Sequence, residues 1–301
     1  LAFVFATFFV QPIGGAIATL LTQKYIEVLN FYSSEDARQL YLKCLILGIL
    51  CICIILLIQS FLIKIPYVES WLSNKFSETN LNYIYFLLPL GLFSLISVIN
   101  NSILMAKEQF NTYSLLPIII HFTTITFLIF SPTEYIFEYL LIGTTFGFFI
   151  EFIISQFCIK DVLIKLNISK IKKKSNEFYK ILKSMPNMVI SGIIMGSCLI
   201  VDQVMALLGG EGAVAMINFG NKVPLGLISV ITIWGSVLYP TFVKYATKEK
   251  YDSLRNSFLR FSTISFLILL PMCICISLFS DILIKVLFER GEFLAKDTLV
   301  V

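Results

Sequence analysis

Asp202 and Lys222 are the residues of this 301-residue chain whose setting most suggests chemistry. Both fall within long apolar segments, where an ionised side chain is expensive and usually faces a bundle interior or a wet cavity. Asp202 can bind a cation, pair with a cationic group or stay protonated. Lys222 stands beside Asn221 and close after Asn218, and a buried ammonium can draw a phosphate or pyrophosphate as a point charge. Its alternatives are a pair with Asp202 or a lysine snorkelling to the interface. Glu151, in another apolar segment, is a weaker candidate for an ion-coupling or cavity role. Gln11 is a candidate substrate contact, and Gln11, Asn100 and Asn101 can equally serve helix packing. The lone His121 reads as a packing residue, with a proton relay as the alternative. No His-Glu-x-x-His, nucleophile elbow or P-loop occurs, so the chain does not read as an enzyme.

These residues need a membrane fold to position them. Hydrophobic residues make up 57 % of the chain and charged residues 14 %, against about 25 % charged in soluble domains. Apolar runs recur at roughly 20 residues, the length a helix needs to cross a ~30 Å hydrocarbon core. The fold class is therefore all-α, a polytopic helical membrane protein with eight expected spans: 1–29, 42–65, 84–105, 113–130, 135–159, 186–208, 213–243 and 258–278. The first should kink at Pro12. The second reads as lipid-exposed. The seventh, too long for a simple span, should be broken by Pro224, Gly226, Gly235 and Pro240. Gly192-x-x-x-Gly196 permits close helix packing, and Tyr67, Trp71 and Tyr83 suit an interfacial belt. The seven cysteines lie in or beside apolar segments without a histidine cluster, which suits packing rather than metal binding. Because the chain opens at Leu1 within apolar sequence and stops at Val301, the expectation is a piece of a longer protein.

Charge sets the topology. Lys160 to Lys183 holds eight lysines and two acids, including the run Lys170 to Lys174. Arg38 and Lys43, Lys107, this stretch, and Lys244 to Arg260 fall in alternate linkers, and the intervening linkers are less basic. The positive-inside rule places the basic set in the cytoplasm. The stretch itself reads either as an amphipathic helix on an anionic leaflet or as a plain cytosolic linker. The positive charge serves topology, so nucleic acid is not an expected partner.

Several motifs occur in a familiar order: Val201-Asp202; Gly209-Gly210-Glu211-Gly212; Val214 to Lys222; Pro224-Leu225-Gly226; Tyr239-Pro240; and Leu287 to Phe293 followed by Asp297. With Asn100, Asn101 and Phe110 to Pro117, they resemble the bacterial lipid II flippase family (MurJ, formerly MviN). The resemblance implies the two-lobed fold of the multidrug/oligosaccharidyl-lipid/polysaccharide (MOP) exporter superfamily. Residues 1–160 would be an N-lobe, 161–183 a cytoplasmic inter-lobe linker and 184–301 part of a C-lobe. It implies alternating access in the bacterial inner membrane, carrying lipid II to the outer leaflet. Lys222 would stand where the family has an arginine that recognises the diphosphate, which keeps the charge and loses the bidentate fork. Gln11 to Gly15 lack the arginine of the family's second helix. Pro12, Pro224 and Gly226 would be hinges. Expected partners are a polyprenyl-diphosphate-linked saccharide, membrane lipids and the envelope synthesis machinery. No cofactor is expected beyond a membrane potential or a Na+ or H+ gradient. Alternatives are an O-antigen or capsule flippase, a cation-coupled small-molecule exporter, and a non-transporting membrane scaffold.

Overall fold

The computed structural model describes residues 10–63, 78–164, 176–210 and 212–289. The run Lys170 to Lys174, the aromatic residues Tyr67 and Trp71, and the motif from Arg290 onward lie outside them. The described chain is helical: α1 (Val10–Phe31), α2 (Ser34–Ile63), α3 (Glu78–Ala106), α4 (Phe110–Ile129), α5 (Ile136–Cys158), a short α6 (Lys160–Leu163), α7 (Asn176–Leu207), α8 (Ala213–Thr247), α9 (Tyr251–Leu278) and α10 (Ser280–Phe288). Seven of the described helices are long and apolar enough to span a membrane, so the protein is a multi-pass membrane protein. The helix α1 is not among the seven. Its described part starts at Val10 and carries Gln11, Gln23, Lys24 and Glu27, while residues 1–9 of the expected first span lie outside the described residues.

Two compact units divide the chain, residues 1–194 and 195–301, and the division falls inside α7. In the first unit α3 is central and packs against α1, α2 and α5, while α4 lies on α5. Its residues Leu90, Leu95, Ile99, Ile103 and Leu104 are fully buried. One face of α1 (Val10, Ile13, Ile17, Leu20, Leu21, Tyr25, Val28) is buried at helical spacing. The first turns of α2 likewise bury Ala37, Leu40, Tyr41 and Cys44, and Ile52 is buried further along, whereas Ile54, Leu57, Ile58 and Phe61 are exposed. Within the expected lipid-exposed span, 42–65, Lys43, Cys44, Gly48 and Ile52 are buried and the other described side chains are exposed or half-buried.

Close approach of α4 and α5 rests on two glycines. A Cβ on Gly147 would lie 2.9 Å from the Ile120 Cα, and one on Gly143 would lie 3.2 Å from the Thr124 Cα. Backbone neighbours cannot swing aside, so only glycine fits. In the second unit α8 packs on α9 and α9 on α10; Trp234–Phe261 and Phe242–Phe261 ring contacts join α8 to α9, and a Phe219–Phe288 contact joins α8 to α10.

Two boundaries differ from expectation. The sixth span does not begin at Pro186: α7 starts ten residues earlier at Asn176 and runs through it. Glu177 and Lys180, paired one turn apart at 2.6 Å, and the buried Ile181 and Met185 extend the helix into the linker. The seventh span is not broken either. Ala213–Thr247 is one 35-residue helix containing Pro224 and Pro240. A helix in an apolar setting tolerates proline where neighbouring groups satisfy the freed carbonyl. Gly210 (φ 98°) and Gly212 (φ 84°) take left-handed backbone conformations between α7 and α8, as the expected end of the sixth span requires.

Candidate functional site

On α5 the buried positions Gly143, Gly147, Glu151 and Ser155 recur every fourth residue, and Ile159 just beyond the helix end continues the row. This spacing forms one ridge along a helix. Its first half is small and meets α4. Its second half is polar and meets α3, where Asn100 and Asn101 are buried.

A chain of hydrogen bonds crosses three helices here. The Tyr41 hydroxyl of α2 donates to Asn100 Oδ1 at 2.7 Å, Asn100 Nδ2 donates to Ser155 Oγ at 2.8 Å, and Ser155 Oγ donates to the Phe152 carbonyl at 2.7 Å. Each of these donors has an acceptor, and the chain ends on a backbone carbonyl, so it holds α2, α3 and α5 in register and offers no onward path for a proton. Nearby, Thr22 of α1 donates to the Ser102 carbonyl at 3.2 Å.

Beside this chain lies Glu151, 4 % exposed. Asn101 hydrogen-bonds its carboxyl group, and the Asn101 Oδ1 has no hydrogen-bond partner. No ion pair among the described residues includes Glu151. A carboxyl so placed can hold a proton, or with the amide oxygen can offer oxygen ligands to a small cation. The sequence ranked Glu151 below Asp202 and assigned Asn100 and Asn101 to packing by default. The structure brings these three together with Tyr41 and Ser155, which sequence reasoning missed. The fourfold spacing Gly143, Gly147, Glu151, Ser155 was a signal that could have found Ser155, and nothing local to Tyr41 marks its part.

The second unit holds Asp202, exposed near the end of α7, and Lys222, exposed in the first third of α8. No ion pair among the described residues joins them. Asn218, Asn221 and Lys222 stand at i, i+3 and i+4 of one helix and share a face. Pro224, which lacks an N–H, cannot bond the Gly220 carbonyl on the turn before it. A Cβ on Gly226 would touch nothing within 4 Å. In the first unit, Gln11 is exposed and Pro12 half-buried in the first described turn of α1. His121 is exposed on α4. All seven cysteines are free, and no cluster of metal-ligating residues occurs among the described residues.

At one end of the first unit, Lys107 after α3 donates to Asp161 of α6 at 2.5 Å. Burial would raise the Asp161 carboxyl, but the hydrogen bond and charge of Lys107 outweigh it and hold the group below its ordinary value. Lys24 of α1 likewise reaches Glu177 of α7 at 3.4 Å. Lys107 in the third linker and Asp161 at the start of the fifth therefore meet on one side, as the charge pattern groups them.

Long apolar helices in two compact units make a polytopic helical membrane fold, and that fold is the one seen in transporters of the MOP superfamily. The chain superposes on a MOP superfamily transporter from Pyrococcus furiosus, described as having a binding pocket of reversed polarity, with a TM-score of 0.75 at 18 % identity, covering 99 % of this chain and 68 % of that one. An outward-facing multidrug-resistance MATE transporter gives 0.76 at 16 % identity, covering 95 % and 65 %. Within that class, the family described as lipid II flippase MurJ matches residues 1–301, and the chain belongs to it. A probable lipid II flippase MurJ of Rhizobium tropici is 30 % identical over 115 residues. That match spans 37 % of this chain and about a fifth (21 %) of the relative's length.

Proposed function

We propose that the protein carries a phosphate-bearing amphipathic substrate across the membrane by alternating access, and that this cargo is a polyprenyl-diphosphate-linked saccharide, first of all peptidoglycan lipid II. The observation that carries this reading is the match of the lipid II flippase family along all 301 residues. Lys222 supplies the positive charge for the diphosphate, and Asn218 and Asn221 on the same helical face supply amide donors. A single ammonium holds a phosphate oxygen without the planar fork of an arginine. Gln11, exposed on α1 of the first unit, is a separate candidate substrate contact. Pro12, Pro224 and Gly226 are the bending points, and 161–183 joins lobes 1–160 and 184–301 on the cytoplasmic side.

Glu151 is the coupling acid of this reading, with Asp202 as the second carboxylate. An ionised Glu151 would be a buried charge without a cation, so binding H+ or Na+ neutralises it and makes its occupancy follow the gradient. A second reading, cation-coupled export of a small molecule, is favoured by the fold shared with MATE-type structures. It predicts a pocket that needs no diphosphate contact.

The test is complementation in cells depleted of their lipid II flippase, using the full-length protein. Rescue by wild type is expected. Lys222→Ala should express normally, because the side chain is exposed, and should lower lipid II exposure at the outer leaflet by about 10- to 100-fold, the size of a lost charged hydrogen bond. A well-expressed wild type that fails to rescue sinks the lipid II assignment; full rescue by the variant removes Lys222 from the site. Glu151→Gln keeps the hydrogen bond to Asn101 but cannot ionise, so its flux should lose its dependence on the ion gradient.

A further inference from the structure

The first half of α7 is joined to α1 by four charges in an unusual arrangement. Lys24 Nζ lies 2.5 Å from Glu27 on its own helix and 3.4 Å from Glu177 of α7. Glu177 in turn lies 2.6 Å from Lys180 on its own helix. The side chains of Lys24 and Glu177 are 15 % and 13 % exposed. Around this cluster, Lys43 of α2 sits 5.9 Å from the ring of Phe178, and Ile181 and Met185 are buried. Further along, Gly192 brings the α7 backbone against Pro12, where a Cβ would lie 3.2 Å from the proline Cα.

Of the three ion pairs, the one that crosses between helices is the longest. If α1 and α7 part, Lys24 keeps Glu27 and Glu177 keeps Lys180. Neither charge is stranded, so the large penalty for breaking a partly buried pair is avoided. The Lys107–Asp161 contact differs: the structure gives neither side chain another ion-pair partner among the described residues. The division between the two compact units falls just beyond Gly192, between Ile194 and Met195. The clasp thus holds to the first unit the half-helix that continues into the second.

We propose that Asn176–Ile194 is a reversible latch on the lysine-rich side of the membrane, docked on α1 through Lys24–Glu177 and on α2 through Lys43 and Phe178, and released during the transport cycle. The locally paired charges make it releasable. Gly192 and Pro12 give a contact with no interlocked side chain, so the two surfaces can separate. Release as a step of transport rests on the transport reading above; docking does not.

Charge exchange gives a test with opposite outcomes. Lys24→Glu places two acids of α1 against Glu177, and Glu177→Lys places two lysines of α7 against Lys24; each should open the latch. The double exchange sets two acids on α1 opposite two lysines on α7. Local pairing is gone and every attraction now runs between helices, so the latch should close more tightly than in wild type. The readout is maleimide labelling of Met185→Cys in the full-length protein in membranes, against the same protein without that cysteine. Single exchanges should label about 5–30 times faster than wild type, the population change that 1–2 kcal/mol produces, and the double exchange should label more slowly. Lys24→Gln, which removes one attraction without adding a repulsion, should fall between wild type and the single exchanges. Equal labelling in wild type and all the exchanges, or a double exchange as fast as the singles, overturns the latch. The labelling needs no cargo, so a latch that behaves as expected in a protein that moves no lipid II refutes the transport reading alone.

Discussion

The two units use the same kind of helix differently. In the first, α3 is buried along most of 89–106, and Asn100 at its core is hydrogen-bonded to α2 and to α5. In the second, Ala206, Pro240, Val243, Ser265 and Ile284 are the buried residues of the described helices, and Asn218, Lys222, Pro224 and Gly226 are not among them. Apolar composition does not separate the units, since both consist of long apolar spans. What differs is the number of helices each residue can meet. The packed helices of the first unit enclose a centre; α8, α9 and α10 enclose little. Glu151 and Asn100 are accordingly buried in the first unit, whereas Asp202 and Lys222 are exposed on the described helices of the second.

Gly147 offers the hardest test of that contrast. A leucine there would meet the Ile120 backbone, and overpacking of this kind costs about 3 kcal/mol or more where nothing can move. Gly147→Leu should abolish a monodisperse peak in detergent. If it folds like wild type, the tight α4–α5 seam is not what organises the first unit. Asn100→Leu is expected to rank second. It leaves the Tyr41 hydroxyl without its acceptor, which costs about 1–3 kcal/mol, and Tyr41→Phe in the same protein should recover part of the loss. Thermal unfolding of the two single variants and the pair measures this. No recovery would mean the hydrogen-bond chain is not a unit. Gly226→Ala has the opposite sign. The added methyl meets no neighbour and removes a flexible residue from a helix, so it should stabilise the second unit by about 0.5–1 kcal/mol. A loss of stability there would show a packed surface where the structure has an open one. Reduced transport at unchanged or higher stability would instead support Gly226 as a bending point.

What the sequence made legible follows from which forces act locally. The helical spans came through because hydropathy is a property of the segments themselves, and lysine placement grouped the third and fifth linkers for the same reason. Pro224 and Pro240 misled because a proline's local cost can be met by the surroundings, which the sequence does not display. Pro186 misled in the same way: the start of α7 is fixed by Glu177–Lys180 and by burial of Ile181 and Met185. The Gly143–Gly147–Glu151–Ser155 ridge was visible as a spacing, yet its partners come from far along the chain. Asn100 stands 55 residues from Ser155 and 59 from Tyr41, and pairing over such distances is set by tertiary packing. Gly192-x-x-x-Gly196 shows the same limit: Gly192 does mark a close approach, and only the fold identifies Pro12 as its partner.

The smallest effect separates a fixed contact from a releasable one within the first unit. Asp161 is held below its ordinary pKa of 3.8 by Lys107, with burial opposing. A depressed carboxylate contributes stability above its unfolded pKa and loses that contribution as pH falls through the folded value. The Lys107–Asp161 contribution should therefore be constant from neutral pH down to about 4 and fade below it. Asp161 is 63 % exposed, so solvent and salt screen the pair and the loss should stay below about 1 kcal/mol. Asp161→Asn should remove the acid-dependent part of the stability and leave the neutral-pH labelling of Met185→Cys unchanged, because this contact joins the end of α3 to α6 and not to α7. If the variant instead speeds that labelling as much as Lys24→Glu does, the two ion pairs act as one clasp, and local re-pairing of Lys24 and Glu177 is not what distinguishes the releasable half of the bundle from the fixed one.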